Sequence, residues 1–260
     1  MTFFRDVATS FTREMKPTLA DPSWMAFGLV QPLLYLAFFV PLLDVGGSTG
    51  GALQWFVPGM IVMLTLFGTA MVGWSLTEEL MSGVLERFLA TPMSRPALIF
   101  GRSLKEMFPL ALQALAMIII AWPFGLQLHP IQMLFGLALL ALFGAGVAAL
   151  SYALAIVARH NTSLFYMVSQ SVALPLMLLG GVLLPIENGP GWLYAASRFN
   201  PLTYLVEAER ALFAGELFTT TVLWGVLVAA GVAVVGLTIG ARAIRVIGAK
   251  SFCRSYGSDL

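Results

Sequence analysis

The sequence predicts an all-α integral membrane protein with six transmembrane helices. Three observations carry that expectation: long apolar runs, the cations placed between them, and the tryptophans at their ends. Of 260 residues, 59% are hydrophobic and 10% are charged, with a mean hydropathy of +0.89. A soluble domain carries about 25% charged residues, so this chain has too few charges to cover a surface in water. The net charge of +1 gives, as a total, no pull toward acidic partners or nucleic acid. The lone cysteine, Cys253, excludes an internal disulfide, and the sequence holds no metal-ligand cluster.

Runs long enough to cross a hydrocarbon core of about 30 Å fall at about residues 24–43, 55–76, 107–124, 131–157, 163–184 and 220–241. The fourth and fifth are parted only by "ARHNT". Pro32, Pro41, Pro58, Pro109 and Pro175 lie inside or near these runs, where neighbouring helices can satisfy the freed backbone groups. The first 23 residues mix charge with apolar positions, and no A-x-A cleavage pattern follows the first run, which therefore reads as a retained span.

Cations then set the orientation. Arg5, Arg13 and Lys16 precede the first span; Arg87, Arg95, Arg102 and Lys105 follow the second. Arg159 lies between the fourth and fifth, and Arg242, Arg245, Lys250 and Arg254 lie in the tail. Twelve of the 14 cations share one side, leaving Arg198 and Arg210 on the other. The positive-inside rule puts that side, with both termini, in the cytoplasm. Trp24, Trp55, Trp74, Trp122 and Trp192 fall at span ends or in loops, the headgroup level that indoles prefer.

Three segments lie outside the spans. The first, "TFFRDVATSFTREMKP", sets Phe4, Val7, Phe11 and Met15 on one helical face among charged and hydroxyl residues. It reads as an interfacial amphipathic helix ended by Pro17, a membrane anchor or a force-transmitting element on equal terms. The second, "MSGVLERFLATPMSRPALIFGR" from Met81 to Arg102, holds a short helix. Val84, Leu85, Phe88 and Leu89 share one face, Glu86 and Arg87 point elsewhere, and Thr91-Pro92 ends the helix. So short a helix is marginal alone in water. It is either a solvated reversal of the chain or a knob for a groove on a soluble partner.

The third, residues 185–218 between spans five and six, is too long for a turn and too apolar to float. Asn200-Pro201 is a helix-start pattern, and two short helices are expected to dip into the membrane from outside as a lid, against protein or a cavity.

No carboxylate falls in the middle of a predicted span, which argues against an ion channel or secondary carrier built on a buried charged relay. The interior polar residues are neutral, among them Thr65, Thr69, Gln113, Ser151, Ser169, Gln170 and Ser171. Most read as interhelical hydrogen-bonding groups. Thr65, Thr69, Ser169 and Gln170 are the candidates for a ligand path. "GLTIG", Gly236 to Gly240, matches the close-packing pattern G-x-x-x-G. The sequence contains no "GK", so a nucleotide-binding P-loop is absent, and His129 and His160 fall on opposite predicted faces, so no catalytic set assembles. A partner must supply the energy.

The stretch from Glu78 to Arg102 resembles the ABC-2 type permeases, the membrane subunits of ATP-binding-cassette exporters of the daunorubicin-resistance kind. The matching residues are Glu78/Glu79, Gly83, Glu86-Arg87, Leu89, Thr91-Pro92, Ser94-Arg95 and Gly101-Arg102. The late outer loop is similar too, at Pro185, Trp192, Asn200-Pro201, Arg210 and Gly215. The resemblance covers about residues 1–248 as one transmembrane domain, leaving 249–260 as a cytoplasmic tail.

That resemblance implies a cytoplasmic ATPase subunit, which would hold the ATP and magnesium, and a second permease, either another copy or a paralogue. It implies that the first helix, with Phe4, Val7 and Phe11, is a connecting helix. It makes the segment from Glu78 through Gly83, Glu86, Arg87, Phe88 and Leu89 to Thr91-Pro92 the coupling element. It assigns Trp192, Asn200, Pro201, Tyr204 and Arg210 to an outer gate, and spans two and five to the dimer pathway. The expected function is export of a hydrophobic drug-like or lipid-like substrate across a bacterial inner membrane by a non-catalytic subunit. Export of polysaccharide or lipid-linked glycan is the alternative.

Overall fold

A computed structural model describes residues 3–20, 23–43, 49–81, 95–159, 161–183, 186 and 189–256. Helix makes up 87% of the described residues, and no strand occurs among them. In chain order the helices are α1 (Phe3–Ala20), α2 (Ser23–Leu43), α3 (Thr49–Ala70), α4 (Gly73–Met81), α5 (Arg95–Ala121, closed by the 3-10 turn Trp122–Phe124), α6 (Pro130–Val157), α7 (Thr162–Leu179), α8 (Gly191–Ser197), α9 (Pro201–Phe213) and α10 (Thr220–Tyr256).

Five stretches are long and apolar enough to cross a membrane: Gly50–Met81, Phe100–Phe124, Pro130–Val157, Thr162–Leu179 and Thr220–Ala243. In α2 the described apolar stretch is the shorter Gly28–Phe39.

Several boundaries differ from those the sequence predicts, the second span among them, which runs over Gly50–Met81 and not 55–76. Helix α1 runs past Pro17 to Ala20, because a proline in a last turn removes a single backbone bond. Helix α5 begins at Arg95, well before the apolar run, with Pro96 as its second residue, where no N–H is required. Helix α7 stops at Leu179 rather than 184: the Gly180 N–H bonds Met177 O, and Gly181 takes a φ of 66° that turns the chain away. Helix α10 continues beyond 241, through the expected tail, to Tyr256.

Helix α3 is the centre of the bundle. Phe56, Val57, Met60, Ile61 and Val62 are all buried, because α2, α5, α6, α7 and α9 pack around it. Within hydrocarbon, lipid is as apolar as leucine, so shape and hydrogen bonds decide helix association. The α6–α10 contact shows both small-residue partners: the backbone of Gly146 lies where a side chain on Gly236 would stand. The G-x-x-x-G pattern thus marks a real close approach. Helix α7, by contrast, joins the bundle by a single stripe one turn apart, Phe165, Ser169, Ala173 and Met177.

Between α3 and α4 the rod breaks at Met71-Val72, and Ser151 of α6 staples the break. Its hydroxyl donates to Ala70 O at 2.7 Å and accepts from the Gly73 N–H at 2.9 Å. Gly73 has no side chain because Ser151 O and the Phe165 ring stand where its Cβ would be. Two backbone groups freed by the break are satisfied by one side chain.

Candidate functional site

Polar chemistry collects at the two ends of this rod. At the α4 end, Arg102 of α5 is 2% exposed and binds two acids. Its Nη2 donates to Glu14 Oε1 of α1 at 3.0 Å and also to Glu79 Oε2 of α4. Charge-assisted bonds of this kind compensate the desolvation of the guanidinium. Three helices distant in sequence are thereby tied at one point.

The local sequence makes this approach possible. A Cβ on Gly101 would lie 2.7 Å from Ser10 Cβ, so glycine lets α1 lie directly on α5. Helix α1 seats there through Asp6 and Ser10, both buried, with Glu14 continuing the same i, i+4 line. Val7 and Phe11 are half-buried beside that seam, and the Phe4 side chain lies outside the described residues. The contact with the bundle is therefore a polar seam, not the apolar stripe.

One turn further along α5, Lys105 pairs with Glu106 at 2.7 Å, and the Tyr152 hydroxyl of α6 donates to Glu106 Oε1 at 3.2 Å. On α4, the exposed Glu78 accepts from Trp74 Nε1 at 2.9 Å. The other coupling candidates, Gly83, Glu86, Arg87, Phe88, Leu89, Thr91 and Pro92, lie outside the described residues.

At the opposite end stands the α8–α9 hairpin. Asn200 caps α9: its side chain accepts from the Leu202 N–H at 3.0 Å and donates to Leu176 O of α7 at 2.7 Å. Pro201 follows as the first helical residue. Arg210 projects from α9 with its guanidinium carbon 3.7 Å from the centre of the Trp55 ring. It donates to Trp55 O at 3.1 Å and to Gly181 O at 2.8 Å. It thus joins α9 to the start of α3 and to the turn after α7.

The carboxyl end of α9 is held by side chains as well. Gln54 donates to Phe213 O, His129 Nδ1 lies 3.0 Å from the same oxygen, and Gln132 donates to Gly215 O at 3.2 Å. Tyr204 bonds Arg198 O at 3.0 Å and its ring meets Trp224. Trp192 is exposed, as are Phe199 and Phe218.

The path candidates do not converge on one point. Thr65 and Thr69 are buried beside Gly144 of α6, each donating to a carbonyl of its own helix, Ile61 O and Thr65 O. Ser169 lies in the buried stripe of α7, whereas Gln170 is half-buried and bonds Tyr166 of the outer face at 3.5 Å.

Two residues gain a role that the sequence alone did not give them. Arg102 matched a motif without a partner being evident. Glu209 of α9 is fully buried, and its position among Leu202, Leu205, Val206 and Leu212 is a periodicity signal visible in the sequence. Among the described residues, no group of three His, Cys, Asp or Glu comes together as metal ligands.

A break in a spanning rod, a charged knot at its foot and a clamped helical hairpin at its far end are features of a helical membrane protein. The family ABC-2 type transporter matches residues 5–214. The chain belongs to that family.

Among its relatives is a daunorubicin resistance ABC transporter permease protein, DrrB1 of Streptomyces coeruleorubidus. It is 26% identical over 191 residues, 72% of this chain and 67% of that one. A putative transport permease, ycf38 of Porphyra purpurea, is 30% identical over 222 residues, 78% of this chain and 74% of that one. The probable multidrug ABC transporter permease YbhR of Escherichia coli K12 is 24% identical over 182 residues, 67% of this chain and 49% of that one.

Proposed function

We propose that this chain is the permease subunit of an ATP-driven exporter of hydrophobic, drug-like or lipid-like molecules, working with a separate ATPase. Counting α2 as the first span gives six spans, with both termini and the Arg102 knot on the cytoplasmic side. The α8–α9 hairpin then forms the outer gate, dipping into the membrane from the far side, and α1 lies along the cytoplasmic interface. The names of the DrrB1 and YbhR relatives support a drug-like cargo.

The observation that carries this reading is the ionic knot. Residues 82–94 follow Glu79 directly and lead into Arg102, and these two residues are bonded to each other and to α1. A force applied to that segment by a docked ATPase reaches α1, α4 and α5 together. The Ser151 staple passes displacement of α4 on to α6, while α3 tilts with the outer ends of the spans. ATP and magnesium act on the partner, and this chain supplies the docking segment and the path.

The test is a charge swap in the complex purified with its ATPase. Arg102→Glu should abolish stimulation of ATP hydrolysis by substrate, and Arg102→Glu combined with Glu79→Arg should recover much of it. A single Arg102→Glu variant that is stimulated normally by substrate would remove the knot from the mechanism. Failure to co-purify with any ATPase would remove the reading itself.

A further inference from the structure

Glu209 is fully buried, and neither carboxyl oxygen has a hydrogen-bond partner among the described residues. It lies on the buried face of α9 opposite Gly136 of α6. A Cβ at 136 would stand 2.5 Å from Glu209 Oε2 and 3.2 Å from both Cδ and Oε1. The carboxyl group therefore occupies a niche that exists because residue 136 has no side chain. Beside it Gly225 of α10 admits Ala208, so α9 is wedged between two glycine-bearing helices.

Among the described residues no charge compensates it there. Helix α9 packs against α3, α6, α7 and α10. The first three carry no Asp, Glu, Lys or Arg, and α10 has none before Arg242. His129, ahead of α6, is engaged with Phe213 O. On α9 itself, Arg210 is committed to Trp55 and Gly181, and Glu207 reaches Arg198 at 3.6 Å. An unpaired buried carboxylate gives up its charge instead of enduring the desolvation. Burial pushes Glu209 from the usual carboxyl range up to about 8.

We propose that Glu209 is a proton-binding site that locks α9 against α6, and that α9 leaves α6 when the proton leaves. The ionised carboxylate needs hydration, a fully enclosed site restricts it, and moving the helix admits it. The sign follows from linkage. The folded group holds its proton more tightly than the unfolded one, so its stabilisation is fully present below the ordinary carboxyl range. It declines as pH rises and is lost through about 8. The lock deepens the outer-gate reading; its test reads helix position rather than transport, so the two fail separately.

The experiment uses the permease with its ATPase in native membranes, with Cys253→Ser and a reporter cysteine at the buried position Val206. Its labelling by an impermeant maleimide is divided by that of Phe199→Cys, which is 91% exposed, to cancel the pH dependence of the thiol. Between pH 7 and pH 9 the ionised fraction of a group titrating near 8 rises about tenfold, and the normalised labelling should rise about as much. In Glu209→Gln, which copies the protonated form, it should stay flat. An equal rise in Glu209→Gln, or none in the parent, overturns the proposal.

A second comparison tests the niche. Gly136→Ala should lower Tm by about 4 °C with Glu209 present and by much less in Glu209→Ala. Equal losses in both backgrounds would show that the carboxyl does not fill the space.

Discussion

Arg102 and Arg210 face the same problem at opposite ends of one helical rod. Each is a permanently charged fork drawn into a tightly packed part of the bundle. Arg102 meets carboxylates, Glu14 and Glu79. The described bonds of Arg210 go to the main-chain oxygens Trp55 O and Gly181 O, with an indole face beneath its plane. The first is an ion cluster, the second a cation dissolved in backbone dipoles.

The difference concerns what each joint tolerates. An ion cluster depends on charge more than on angle, so it can hold while helices tilt. A fork fitted to fixed carbonyls and a ring depends on its plane, so it holds one arrangement of the hairpin.

The largest expected effect breaks the first half of that comparison. Arg102→Met removes the buried cation that these two acids bind and should destabilise the protein by about 3–5 kcal/mol. The lower end is expected, because Glu14 and Glu79 are 17% and 23% exposed. Thermal unfolding in detergent reads it, and Glu14→Gln with Glu79→Gln in the same chain should return part of the loss.

Next is Arg210→Met, which strands the carbonyls and bares Trp55, at a cost of about 2–3 kcal/mol by the same assay. Lysine sharpens the contrast: Arg102→Lys should keep most of its joint, and Arg210→Lys should lose nearly as much as Arg210→Met. Equal tolerance of lysine at both positions would erase the distinction. Ser151→Ala should cost about 1–2 kcal/mol, since the Ala70 and Gly73 backbone groups lose their partner. Asn200→Ala should cost a similar amount, about 1–2 kcal/mol, since it loses the α9 cap and the bond to Leu176 O.

Much of this architecture was legible. The apolar runs mark the helices well, Asn200-Pro201 opens α9 as its chemistry demands, and Gly236 marks the approach to Gly146. Ends of helices were less so. The stop at Leu179 depends on the backbone of Gly181, and the extension of α10 past residue 241 carries charges that an apolar-run criterion discards.

The site was legible only by halves. Arg102 stood out as a motif member, but its acids lie 88 and 23 residues away, a separation no local pattern encodes. The apolar stripe of α1 lies beside the polar seam that seats it and gave no sign of that seam. Glu209 was readable from its helical phase, but an outer segment is easily taken as solvated, which hides a buried acid.

Helix α7 buries four side chains, Phe165, Ser169, Ala173 and Met177, each one turn from the next, and is tied besides through its carbonyls at Leu176 and Leu179. Most of its circumference therefore owes nothing to the stability of the single chain. Natural variation at Tyr166, Met167, Gln170 or Leu174 can accumulate without unfolding anything. That latitude makes this helix the natural place for relatives to diverge in whatever they encounter alongside it.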